Sequence, residues 1–163
     1  MIWRKIKPET AVRLIRFYPP FLAAGVKVSD IDKDFTTIDV EMKLTFYNVN
    51  YVGTHFGGSL YAMCDPFYMF ILLYHLKKDH VVWDKAASID FIKPGVGKVR
   101  AHFHISLEQI ENFKQQALKE FKLLPVFETK VIDERGETVA IVKKTLYIRR
   151  KDAKERFKKP QTS

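Results

Sequence analysis

The stretch NVNYVGTHFGGSLYAMCDPFYMFILLY, Asn48 to Tyr74, decides how the rest of the chain is read. It opens on turn-forming and small residues: Asn48, Asn50, Gly53, Thr54, Gly57 and Gly58. From Phe56 to Tyr74 it is almost unbroken apolar sequence, with Asp65 as its one charged residue. A glycine-rich entrance to such a run predicts a helix N-terminus with free backbone N–H groups. A helix from about Gly57 to Leu76 that is apolar on nearly every side must be wrapped, and Lys77-Lys78 suit its C-terminal end. A carboxylate in its middle is expensive to bury and asks for a functional reason. Pro66, directly after it, predicts a kink.

Outward from this stretch, the segments alternate between strand and helix. Before it, Pro8 to Phe17 reads as a helix ended by Pro19-Pro20, and a second short turn runs from Phe21 to Ala24, stopped by Gly25. Val26 to Ile31 and Thr36 to Leu44 read as strands, the second with Ile38, Val40, Met42 and Leu44 on one side. After it, Val81 to Phe91 reads as a strand stopped at Lys93-Pro94-Gly95. Lys98 to Ser106 alternates with His102 and His104 on its polar, solvated side. Leu107 to Leu123 is an amphipathic helix. Val126 to Ile132 and Glu137 to Ile148 form a hairpin around Asp133-Glu134-Arg135-Gly136. Mostly hairpin-connected strands imply an α+β chain, an antiparallel sheet packed on a helix.

At 163 residues, 47% hydrophobic and 29% charged, the chain suits one globular domain, with no repeat or linker to divide it. The lone Cys64 excludes an intramolecular disulfide and fits a reducing, cytoplasmic setting. Charges scattered through the N-terminus argue against a secretory signal. The net charge of +9 favours anionic partners. Part of it lies in the tail RRKDAKERFKK, Arg149 to Lys159, which reads as a solvated terminus with no nucleic-acid signature. No His/Cys/Asp spacing supports a metal site.

The central loop and helix resemble those of hot-dog fold thioesterases, closest to the phenylacetyl-CoA-thioesterase-like branch. That branch carries an Asn, a Gly, then His-Gly-Gly, and an Asp seven residues beyond the second Gly. Here the spacing is met by Asn50, Gly53, Phe56-Gly57-Gly58 and Asp65. A second match is Asp90-Phe91-Ile92-Lys93-Pro94 followed by Gly97, similar to a strand end of that superfamily. Phe56 stands where the family has His, and His55 is one position early. The resemblance covers roughly residues 26–149 and implies a sheet wrapped around a long central helix. The N-terminal helices and the Leu107–Leu123 helix are additions, and residues 150–163 form a basic tail.

The resemblance implies hydrolysis of an acyl-CoA or acyl-carrier thioester, with coenzyme A part of the substrate and no separate cofactor. The Gly57 N–H at the helix start suits the carbonyl oxygen, Asp65 the activation of the attacking group, and Asn50 the placement of water or the acyl carbonyl. Gly58, Phe56, His55, Tyr61 and Lys93 complete the expected substrate-binding set. Lys93, with Lys98 and Arg100, is a candidate for the coenzyme's phosphates. Each has a plainer role: helix packing for the glycines, a structural carboxylate for Asp65, a turn for Asn50 and His55, an ordinary charged face for the cations. Eight residues of helix rise about 12 Å, so one thioester cannot touch both Gly57 and Asp65 within one chain. A shared site in a homodimer or homotetramer follows. Two alternatives stand beside it: a non-catalytic acyl- or acyl-CoA-binding hot-dog protein, and a membrane protein spanning with Phe56–Tyr74, against which Asp65 at the midplane argues.

Overall fold

The computed structural model describes residues 6–157. Six strands form one antiparallel sheet in the order β1-β2-β4-β5-β6-β3. They are β1 (Val26–Ile31), β2 (Thr37–Lys43), β3 (His80–Phe91), β4 (Lys98–His104), β5 (Val126–Asp133) and β6 (Thr138–Arg150). Around them lie α1 (Pro8–Leu14), α2 (Pro19–Ala24), α3 (Gly57–Ala62), α4 (Phe67–Leu76), α5 (Leu107–Lys119) and α6 (Ala153–Arg156). Every expected strand is present, and the N-terminal helices and the inserted helix stand where the sequence placed them. Met1 to Lys5 lie outside the described residues.

Alternation builds the core. The inward residues of β2 (Ile38, Val40, Met42) and of β4 (Val99, Ala101, Phe103) are buried against Phe67, Ile71 and Leu72 of α4. Tyr68 stacks on Phe127 and lays its edge on Phe103, and its hydroxyl donates to the Glu128 carbonyl at 2.8 Å. The buried aromatic body with a satisfied polar tip ties α4 to β4 and β5. Gly136 closes the β5–β6 hairpin at φ 80°, the left-handed conformation that glycine adopts at no steric cost.

The long central helix is two helices, which corrects the expected continuous span. Met63 N–H still donates to Ser59 O at 3.0 Å, an α-helical bond. Cys64 and Asp65 then donate only three residues back, to Tyr61 O at 2.9 Å and Ala62 O at 3.2 Å. Pro66 has no N–H to offer and its ring is incompatible with the carbonyl four residues earlier, so the ladder stops and restarts at Phe67. The ten residues of α4 rise about 15 Å, half of a bilayer's hydrocarbon thickness. No helix among the described residues is long and apolar enough to cross a membrane.

The C-terminal segment exposes its lysines and arginine as a solvated tail would, but it is anchored. Ala153 is buried, Arg156 donates to the Leu118 carbonyl at 2.9 Å, and Phe157 meets Phe121 edge-on. These contacts hold the segment through Phe157 against the end of α5, and residues 158–163 lie outside the description.

Candidate active site

Two sequence motifs meet in one cleft. The loop Asn50–Gly57 and the β3 end Phe91–Gly95 line a depression of about 410 Å³, together with Leu60. His55 N–H donates to Gly95 O at 2.9 Å and its Nε2 bonds Gly97 O at 3.1 Å, so the two segments are stapled together. Gly57 opens α3, and Phe56 before it is extended, with ψ 128°. Neither Gly57 nor Gly58 N–H has an acceptor among the described residues. Both glycines are closely approached by exposed aromatic rings. A Cβ on Gly57 would lie 2.8 Å from Phe91 Cζ, and one on Gly58 would collide with the Phe56 ring.

Asp65 is not in this cleft. It lies at the break between α3 and α4, and its side chain is 44% exposed, which corrects the expectation of a buried carboxylate. Its Oδ1 accepts from Tyr61 Oη at 3.0 Å and from Lys144 Nζ at 2.8 Å. Lys144 is fully buried, and its Nζ also lies 3.1 Å from Asp84 Oδ1 and 3.3 Å from Tyr61 Oη. The ammonium thus donates to two oxygens and pairs by charge with a third. Burial opposes the lysine's charge, but the Asp65 and Asp84 carboxylates outweigh it and hold Lys144 above the ordinary lysine range. Burial pushes Asp84 up, partly offset by Lys144. Burial and the Asp65 charge push the Tyr61 hydroxyl up. Burial raises the Cys64 thiol well beyond its usual range, so this cysteine is an inert neighbour.

Sequence reasoning missed Lys144 and Asp84, although a signal existed. In β6, Val142, Lys144, Leu146 and Ile148 share the inward face, so strict alternation sends Lys144 into the core and Lys143 out. Ala87 stands opposite Lys144 on β3. Asp84, opposite Leu146 and two residues from Val82 opposite Ile148, shares that inward face by the same alternation, and the bulge that follows it brings Ala87 opposite Lys144.

The remaining expected site residues have local partners. Asn50 Oδ1 accepts from Val52 N–H at 3.1 Å and Thr54 N–H at 3.0 Å. Its Nδ2 donates to Thr54 Oγ1 at 2.8 Å and His55 O at 3.2 Å. All its polar atoms therefore shape their own loop. Lys93 lies on the cleft rim, but its ammonium is held by Asp133 at 2.6 Å and by Glu137. Lys98 pairs with Glu41 at 3.3 Å. Tyr61 serves Asp65 and lies outside the cleft. On the outer face, His102 bonds Asp39 at 2.7 Å and His104 bonds Thr37 at 3.0 Å. Among the described residues no cluster of three His, Cys, Asp or Glu side chains is arranged to hold a metal ion.

His55 carries a pH prediction. Its ring is buried, its Nδ1 has no partner, and burial lowers its pKa below 6.5 despite the Gly97 bond. The unfolded chain therefore binds the proton first as pH falls. The stability that His55 contributes is complete above about 6.5 and is lost as pH drops below it. Urea midpoints measured from pH 7 to 5 should fall less steeply in His55→Gln than in the unsubstituted protein. Equal slopes would remove His55 as the cause.

A six-stranded antiparallel sheet packed on an interrupted central helix, with a glycine-rich helix entrance beside a strand end, is the hot-dog fold. The chain belongs to the family described as a domain of unknown function, DUF4442, whose profile matches residues 10–148. It is similar in structure to a Pseudomonas aeruginosa protein of unknown function described as a probable thioesterase. That match has a TM-score of 0.79 at 19% identity, covering 89% of this chain and 97% of that one. A Haemophilus influenzae thioesterase superposes with a TM-score of 0.65 at 16% identity, over 92% and 96% of the two chains. The E. coli PaaI protein of the phenylacetic acid degradation operon does so at 0.55 and 16%, over 86% and 95%. No curated protein matches the chain.

Proposed function

We propose that the chain hydrolyses an acyl thioester of coenzyme A or an acyl carrier at a site shared between two copies of itself. The observation that carries this reading is a division of labour. The cleft at Gly57 offers unpaired N–H groups at a helix start, while the one carboxylate of the α3–α4 segment lies outside that cleft with an oxygen free. Gly57 N–H receives the carbonyl oxygen as it gains charge. Asp65 of the partner subunit takes the proton from the attacking water. Strand β3 supports the pairing. It is an edge strand of twelve residues with Ala86, Ala87 and Ser88 exposed, an open row of backbone donors and acceptors of the kind that pairs with a second chain.

Mixing variants tests both the reaction and the sharing. Gly57→Pro deletes the N–H, and the extended Phe56 is the backbone that a following proline needs at the first helical position. Its hydrolysis of a panel of acyl-CoAs should fall about 10²-fold. Gly57→Ala is the control for the added bulk against Phe91. Re-associating Gly57→Pro with Asp65→Asn should restore about a quarter of the unsubstituted rate, because half of the dimers are mixed and each holds one intact site. A mixture no faster than the sum of its parts would exclude a shared site.

A second reading, acyl-CoA binding without turnover, is favoured by one observation. Phe56 stands at the family's His position, while the His55 ring is held on the Gly97 carbonyl. Thermal stabilisation by acyl-CoAs with no thiol release from any of them would select it.

A further inference from the structure

The structure assigns Lys144 the role of positioning residue for Asp65: it fixes Oδ1 and leaves Oδ2 as the reactive oxygen. The inference rests on the thioesterase reading for its catalytic meaning, though not for its test. Oδ1 is fully engaged by the Lys144 ammonium at 2.8 Å and the Tyr61 hydroxyl at 3.0 Å. Oδ2 has no partner among the described residues. An ammonium from strand β6 that is itself fully buried meets a carboxylate that is 44% exposed.

The charge count explains why a lysine stands in an apolar row. Two carboxylates, Asp65 and Asp84, share one cation, so the cluster carries one net negative charge when both are ionised. Asp84 side-chain exposure is 25% against 44% for Asp65, so the excess charge is better solvated on Asp65. The groups facing Asp65 are Tyr61 from α3, Cys64 beside it, Lys144 from β6 and, through Lys144, Asp84 from β3. Tyr61 and Cys64 are neutral at working pH, so Lys144 and Asp84 are the charges that Asp65 meets, and they act on it in opposite directions. The same ammonium holds the carboxylate in one rotamer, which a shared site requires if the attack on a bound carbonyl is to be in line.

Opposite substitutions therefore produce opposite shifts. The carboxyl carbon of Asp65, assigned by its loss in Asp65→Asn, is followed by carbon-13 NMR titration. In Lys144→Gln it should titrate about one pH unit or more higher than in the unsubstituted protein. In Asp84→Asn, where Asp65 no longer competes for the cation, it should titrate lower. The acid limb of the acyl-CoA hydrolysis profile should move by the same amount and sign in each variant. A lysine that serves only the fold would lower the melting temperature and shift the NMR titration alone, leaving the acid limb of hydrolysis in place. Should Lys144→Gln not fold, Asp84→Asn alone decides by the sign of its shift. Unchanged Asp65 titration in the folded variants, or shifts of the same sign in both, overturns the assignment. Absence of hydrolysis in the unsubstituted protein would overturn the thioesterase reading while leaving the NMR result to judge the positioning role.

Discussion

Asp65→Asn should lower acyl-CoA hydrolysis about 10³-fold, within the range that loss of a positioned general base produces. The substitution changes charge more than shape. The amide oxygen can still accept from Tyr61 Oη and Lys144 Nζ in place of Oδ1, and Lys144 keeps Asp84 at 3.1 Å. The fold is therefore retained, and circular dichroism with a thermal melt checks that it is. The loss should fall on kcat, with KM near its original value, because the proton moves only in the transition state. Steady-state assays on several acyl chains make the test independent of chain preference. Undiminished hydrolysis by Asp65→Asn would remove Asp65 from the chemistry and with it the shared site.

The second large effect is on stability. Truncating Lys144 to alanine leaves a void in the inward row of β6 and removes the cation that faces two carboxylates. Breaking a buried ion pair from one side costs about 3–5 kcal/mol, and Asp65's access to water places this case at about 3 kcal/mol. For a chain of this size that is a fall of roughly 8 °C in melting temperature. Removing the whole charge set should be much milder. Asp65→Asn and Asp84→Asn combined with Lys144→Met replace three ions by neutral groups of similar length, and most of the lost stability should return. Urea midpoints of the single and triple variants measure the difference. A Lys144→Ala protein as stable as the parent would show that the cluster is hydrated and contributes little.

Much of this architecture could be read from local pattern. Alternation of Ile38, Val40 and Met42 against Thr37, Asp39 and Glu41 needs no partner to be seen, because side-chain period follows from strand geometry. Asp133-Glu134-Arg135-Gly136 could be read as a turn for the same reason: Gly136 adopts the positive φ that closes it. Pro66 predicted a bend, and its missing N–H does interrupt the helix, but whether a proline kinks or divides a helix depends on the bonds its neighbours find. Here Cys64 and Asp65 found acceptors three residues back, and the helix divided.

The site was less legible. By itself the sequence determined which residue types surround the helix entrance, Gly57-Gly58 after a turn and Asp65 before Pro66, since these are neighbours in the chain. From the rise of a continuous helix it also led to the expectation that Gly57 and Asp65 do not serve one carbonyl within one chain, and the structure places Asp65 outside the Gly57 cleft. Only the tertiary structure decided who partners Asp65. Lys144 and Asp84 lie 79 and 19 residues away along the chain, and their approach depends on β6 and β3 pairing in one register around a bulge. A one-residue slip would turn Lys144 to solvent and a neighbour into the core. Likewise, Lys93 reads as a free cation until Asp133 and Glu137 close on it from the far end of a hairpin. Period and turn chemistry are local and therefore written in sequence; the neutralisation of a charge belongs to whichever distant segment the sheet register brings beside it.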